Sequence, residues 1–207
     1  MKTTEIFALC LIVTIVSFLG FVVENVWLAI TKGFMDNRNM CLPFLIGYGL
    51  AMVAIYFILG TPTEFALLGK KLKIKSRYVK LLLYFLAVML CVSVGEIILG
   101  TIVEKTCHIY WWDYTRLPLH ITRYTSIPTS MAFSMLITTF MHKFFMPLYE
   151  FFQKLDYNDL QVLAGSFMTL MTADFIHNAV RIYRDKEMRS IWKIDTTNTL
   201  GYRLLHS

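Results

Sequence analysis

Two long apolar runs each carry one isolated carboxylate where the chain offers it little water, Glu24 inside the run 6–30 and Glu96 inside the run 81–103, and the second run ends at Glu104. A charge at membrane depth is costly and calls for a use. Such acids can hold a cation, a proton or a cationic solute, or act as a general base once burial raises their pKa. Glu96 and Glu104 are eight residues apart, about 80° of rotation and 12 Å of rise on a helix, so they share one side at different depths. After Glu104 comes Tyr110-Trp111-Trp112-Asp113-Tyr114-Thr115-Arg116, followed by Arg123. Adjacent indoles form a flat amphipathic shelf, Asp113 offers an anion, and Arg116 and Arg123 offer forked donors. Asp36, Asn37, Arg38 and Asn39 crowd an earlier loop that faces the same aqueous side, so two polar loops would roof two intramembrane acids.

Each feature also has a plainer reading. A buried Glu can be a protonated, hydrogen-bonded packing residue. Glu24 is about a turn from its helix end, beside Asn25 and Trp27, where snorkelling into an interfacial belt would satisfy it. The Trp-Trp loop can be an aromatic belt with an internal Asp113–Arg123 pair. Gly95 and Gly100 would let a neighbouring backbone or a ligand approach the same helix.

The 57% hydrophobic and 16% charged residues, with a mean hydropathy of +0.56, place the chain among integral membrane proteins. The expected fold is all-α: one helical membrane bundle of four to six spans, with five the central expectation. Helices are expected over about 6–30, 41–60, 81–104 and 126–148, with a weaker spanning or interfacial helix over 160–181 and a basic tail. Residues 1–155 would form the core and 156–207 the addition. The first run is too long for a cleavable signal peptide. Thr61-Pro62-Thr63 closes the second with turn chemistry. No internal repeat, heptad series or low-complexity tract is evident.

Lys70, Lys71, Lys73, Lys75, Arg77 and Lys80 make the loop before the third run the densest basic cluster, so the Lys70–Lys80 loop is expected to be cytoplasmic. The 31–40 turn and the Trp111-Trp112 loop then face the other side. Five spans would put the basic tail (Arg181, Arg184, Lys186, Arg189, Lys193, Arg203) outside as well, against the positive-inside rule. An even number would bring it in. The net charge of +6 suits attraction to anionic headgroups, and no basic stripe interleaved with stacking aromatics points to nucleic acid. Cys41 and Cys107, flanking the two same-side loops, are candidates for a disulfide, while Cys10 and Cys91 read as small fillers. No Cys or His has metal-ligand spacing, and no cofactor motif is present; His108, His120 and His142 read as polar interface residues.

Taken in order, Phe18-Leu19-Gly20-Phe21-Val22-Val23-Glu24, Asn37-Arg38-Asn39, Leu42-Pro43-Phe44 and Gly47-Tyr48-Gly49 precede Gly95-Glu96, Gly100, Glu104-Lys105, Trp111-Trp112-Asp113-Tyr114-Thr115, Pro118, Arg123 and Pro128. This order resembles the ABC-transporter type IV family of bacterial membrane proteins, the CmpB-like permeases, over roughly residues 12–155. Met40-Cys41-Leu42-Pro43 stands where that family usually has a glycine-proline-cysteine-proline segment, and Ile121-Thr122-Arg123 where it has asparagine-glycine-arginine. The resemblance implies transport. Because Gly69-Lys70-Lys71 lacks the earlier glycine and the hydroxyl of a phosphate-cradling loop, any ATPase would be a separate subunit.

Three functions stay open on these residues. The first is a permease-like protein in which Glu24 and Glu96 bind a cation, proton or cationic solute and the 111–123 loop gates entry, with Arg38, Glu104, Trp111, Trp112, Asp113, Tyr114 and Arg123 completing the site. The second is a membrane enzyme acting on a lipid or isoprenoid, with Glu24 or Glu96 as base and Asp113 with Arg116 or Arg123 positioning a headgroup, although no Ser or Cys shows a base partner. The third is a non-catalytic accessory or sensor subunit whose acids fasten helices together.

Overall fold

The computed structural model describes residues 2–188 and 190–198; Arg189 and Arg203 of the basic tail lie outside them. Six helices and three two-stranded antiparallel sheets make up the described chain. The residues fall into two units, one of residues 1–51 with 152–207 and the other of residues 52–151.

In the first unit α1 (Thr3–Thr31) is 29 residues long, about 44 Å at 1.5 Å per residue, and its start is fastened by the Lys2 amide donating to Glu5 Oε2 at 2.9 Å. It packs on α6 (Tyr157–Asp185), burying Ala8 and Ile12 from one helix and Leu160, Ala164 and Met171 from the other. The rings of Phe7 and Tyr157 meet near the two starts, and Arg181 near the end of α6 donates to the Asn39 carbonyl just past α1. The helices therefore run side by side in the same direction.

Gly33 turns the chain out of α1 in the left-handed region, φ 71°, into β1 (Phe34–Asp36). This strand pairs with β6 (Lys193–Asp195) from the tail, Met35 opposite Ile194, and Lys193 Nζ lies 3.9 Å from the Phe34 ring centre. Residues 193–195 of the tail thus lie on the 31–40 turn, at that end of α1.

Residues 41–45 are spent in a turn. Pro43 stands in it, and the Leu45 amide reaches across to the Ser17 carbonyl at 3.0 Å. Consequently α2 (Ile46–Leu59) is 14 residues rather than twenty, about 21 Å long. Its first turn lies on α1, where Gly49 sits against the Val13 carbonyl with no room for a Cβ.

In the second unit β2 (Ala66–Leu67) and β3 (Lys70–Lys71) form a hairpin whose two central residues, Leu68 and Gly69, both take positive φ. Then α3 (Arg77–Cys107) runs 31 residues from a Ser76 cap, and α4 (Ile127–Lys143) packs against it through a Ser93–Ser130 hydroxyl pair at 3.0 Å. The expected 126–148 helix breaks at Phe144, with α5 (Phe145–Gln153) leaving at 47°. Pro147 explains the place, because it has no N–H for the Lys143 carbonyl and its ring crowds that carbonyl.

By length and composition α1 and α3 qualify as membrane spans, and the bent α4–α5 pair makes up to three. The other two helices in an expected five are α2, which is short, and α6, whose Asp174, His177, Asn178 and Arg181 lower its hydropathy. Along α3, Leu82, Leu86, Leu90, Val94, Ile98 and Ile102 form an i, i+4 stripe, each about half exposed within the protein. Water does not tolerate so long an apolar stripe, and lipid does.

Candidate functional site

The polar residues gather at the loop ends of α1 and α3, and each unit builds its own cluster. In the first, Gly20 has no side chain, so the Tyr48 ring lies directly on α1; an added Cβ would come within 2.6 Å of Tyr48 Cγ. From there the Tyr48 hydroxyl donates to Glu24 Oε1, one turn further along. Arg38 Nη2 reaches Glu24 Oε2 at 2.9 Å, and Arg38 Nη1 stands 3.7 Å from Asp36 Oδ1. The backbone at Arg38 and Asn39 is left-handed, φ 50° and 62°, and the Arg38 amide donates to Asp36 Oδ1 at 2.9 Å, which curls the loop back over the helix end. Asn25 is buried, not interfacial: its Oδ1 accepts the Asp36 amide at 2.8 Å.

The same loop is fastened from below and behind. Asp174 on α6 accepts the Cys41 amide at 2.9 Å, the Leu42 amide at 3.0 Å and Asn178 Nδ2 at 2.7 Å. Asn37, also buried, donates from Nδ2 to the Met40 carbonyl and accepts the Ile191 amide through Oδ1. Ser190 donates to Asp36 Oδ2 at 3.2 Å.

In the second unit Gly100 lies under the ring of Tyr124, again with no space for a Cβ, and the Tyr124 hydroxyl donates to Glu104 Oε2. Tyr124 is held by its backbone as well: Trp112 Nε1 donates to its carbonyl at 2.8 Å, and the two rings meet edge to face at 6.2 Å. Burial, then the hydrogen bond and charge of Glu104, push the Tyr124 hydroxyl up to about 12, so it stays a donor throughout the physiological range. Trp111 stacks on Trp112 at 6.4 Å. Asp113 accepts both the amide (2.8 Å) and the hydroxyl (2.7 Å) of Thr115 and faces Arg123 Nε at 3.6 Å. The Thr115 bonds, with help from Arg123 and Arg116, hold its carboxyl below the usual carboxylate range. Arg123 also lies over the Tyr110 ring, 4.1 Å from its centre, and its carbonyl accepts the Tyr114 amide at 2.8 Å.

Of the residues singled out from sequence, Glu24 and Arg38 are therefore brought together in one unit. Glu104, Trp111, Trp112, Asp113, Tyr114 and Arg123 surround one loop in the other. Glu96 lies half-buried on α3, two turns before Glu104. Cys41 and Cys107 belong to different units, and each is a free thiol. Sequence reasoning missed Tyr48 and Tyr124 as partners of the glutamates, and Asp174 with Asn178 as the holders of the 41–42 backbone. Asp174, Asn178 and Arg181, at i, i+4 and i+7 after the uncharged run 160–173, were a signal for a polar helix face. Among the described residues no group of three His, Cys, Asp or Glu side chains is placed to hold a metal.

Long apolar helices with an exposed aliphatic stripe, ending in built polar loops, define a helical membrane protein. A family model described as "Putative ABC-transporter type IV" matches residues 11–179, covering both clusters, and the chain belongs to that family. No curated protein and no solved structure matches it.

Proposed function

We propose that the chain is the membrane-embedded, permease-like component of a transporter for a small cation or cationic solute, and that ATP hydrolysis is supplied by a separate subunit. Its family supports the transporter assignment. The observation that carries the cation is the placement of two acids, Glu96 and Glu104, two turns apart on α3, with an aromatic and charged loop over the outer one. A cation arriving at that loop meets Trp111, Trp112 and Tyr124 first, then Glu104, then Glu96. Glu24 plays a different part: with Tyr48 and Arg38 already on its two oxygens, it latches the 36–39 loop to α1.

The Lys70–Lys80 loop faces the cytoplasm, and the 31–40 turn and the 110–126 loop face away from it. Lys75, Arg77, Lys80 and His142 line a concavity of about 250 Å³ at the basic end of α3, suited to anionic headgroups at that surface. A lipid-modifying enzyme is the weaker alternative, since among the described residues no Ser or Cys hydrogen-bonds to a histidine.

The test is uptake in cells of the native host, which supply the ATPase, with the chromosomal copy deleted. Restoring the chain should raise accumulation of labelled methylguanidinium or ethylammonium, and Glu96→Gln should abolish the rise. Equal accumulation with the chain, the variant and neither would refute cation transport.

A further inference from the structure

The two polar clusters are copies of one design. Leu19-Gly20-Phe21-Val22-Val23-Glu24 and Leu99-Gly100-Thr101-Ile102-Val103-Glu104 share Leu, Gly, Val and Glu at the same spacing, each opening the last turns of a long apolar helix. In both, the chain leaves the helix, passes an Asp and a Leu-Pro (Asp36 and Leu42-Pro43; Asp113 and Leu117-Pro118), and returns a tyrosine five or six residues after the proline. In both, that tyrosine lies on the glycine and donates its hydroxyl to the glutamate four residues on. The matched residues are separated by loops of different length, 12 residues from Glu24 to Asp36 and nine from Glu104 to Asp113, so the repeat becomes visible only in the folded chain.

The copies differ at the glutamate. In the first, a guanidinium from the loop bridges both acids: Arg38 is 2.9 Å from Glu24 and 3.7 Å from Asp36. In the second, the loop base Arg123 is turned to Asp113 and the Tyr110 ring. Among the described residues of that unit, no Lys or Arg forms an ion pair with Glu104, whose contact is the Tyr124 hydroxyl. The first copy therefore displays what the motif is shaped to hold.

We infer that the Gly100–Glu104–Tyr124 clamp binds a guanidinium or primary alkylammonium group of a small solute, in the place that Arg38 takes at Glu24. Tyr124 fixes one carboxylate oxygen and leaves the other to accept charge-assisted bonds from the ligand, while the faces of Tyr124 and Trp112 favour a cation beside them. The proposal deepens the permease assignment and rests on it for the ligand class, but binding can be measured without transport. Uptake lost with binding retained would sink the transporter and leave this site. Uptake that ignores Glu104 would do the reverse.

The experiment is equilibrium binding of labelled methylguanidinium to the purified full chain in lipid nanodiscs, with ethylammonium as competitor. Wild type should bind one equivalent saturably. Glu64→Gln, in the turn between α2 and β2, should leave it unchanged, and Glu104→Gln should weaken it ten-fold or more. Glu104→Asp, which keeps the charge, should retain binding, so that loss in the Gln variant cannot be ascribed to misfolding. Arg38→Ala should gain a second equivalent, because it frees the sister clamp. Absence of binding to wild type, equal binding by wild type and Glu104→Gln, or a single equivalent in a helical Arg38→Ala protein would each overturn the proposal.

Discussion

Gly95 and Gly100 stand five residues apart on α3 with opposite surroundings. A Cβ on Gly95 meets nothing within 4 Å, whereas one on Gly100 would collide with the Tyr124 ring. Gly95→Ala should therefore be neutral or stabilising by up to about 1 kcal/mol through helix propensity. Gly100→Ala should destabilise by about 1–3 kcal/mol through overpacking and should displace Tyr124 from Glu104. Thermal unfolding in detergent, followed by circular dichroism, compares the two. Asp113 makes a second prediction. Its folded pKa is depressed, so whatever its Thr115 bonds contribute is present above the unfolded value of about 3.9 and lost as pH falls through the lower folded value. Carboxyl NMR should give Asp113 a midpoint below that of an ordinary Asp, and Thr115→Ala should move it back up. The glutamates and Arg38 were legible as single residues, because charge inside apolar sequence stands out. Their tyrosines were not, since a tyrosine in an aromatic-rich chain carries no mark of what its hydroxyl will meet.

Elements were legible where the apolar runs were long and unbroken. Residues 6–30 and 81–104 are the cores of α1 and α3, each extended by a few residues once capping and fraying are counted. Prediction slipped where a tertiary contact outbids local propensity. The 41–45 segment is as apolar as the helix it precedes, yet Asp174, 132 residues away from Leu42, takes its amides and holds it as a turn. Likewise β1 pairs with a strand from the tail, which no local pattern announces. Asp174→Asn keeps the shape but turns an amide group toward N–H donors and removes a charge-assisted acceptor. It should cost about 2–4 kcal/mol, and it should raise hydrogen exchange at Cys41 and Leu42 before it does so elsewhere. Unchanged protection at those two amides would show that Asp174 does not hold the turn.

At the scale of the molecule, the membrane class was fixed by composition, while the number of crossings was not, because α2 is short and α6 carries polar residues for use inside the first unit. The β1–β6 pairing requires Asp36 and Asp195 to share one aqueous side. With cysteines introduced singly into a cysteine-free chain in intact cells, the exposed positions 32, 115 and 195 should react with an impermeant thiol reagent, and position 73 should not. Reaction at 73, or opposite behaviour of 32 and 195, would contradict the proposed arrangement.

The proposed cation-holding role of α3 is tested most directly by infrared difference spectroscopy of the reconstituted protein on addition of methylguanidinium. Engagement of the Glu104 side chain should shift a carboxylate stretching band, and that shift should vanish in Glu104→Gln and persist in Glu24→Gln. A spectrum that does not change on addition, or one that changes identically without Glu104, would contradict the account.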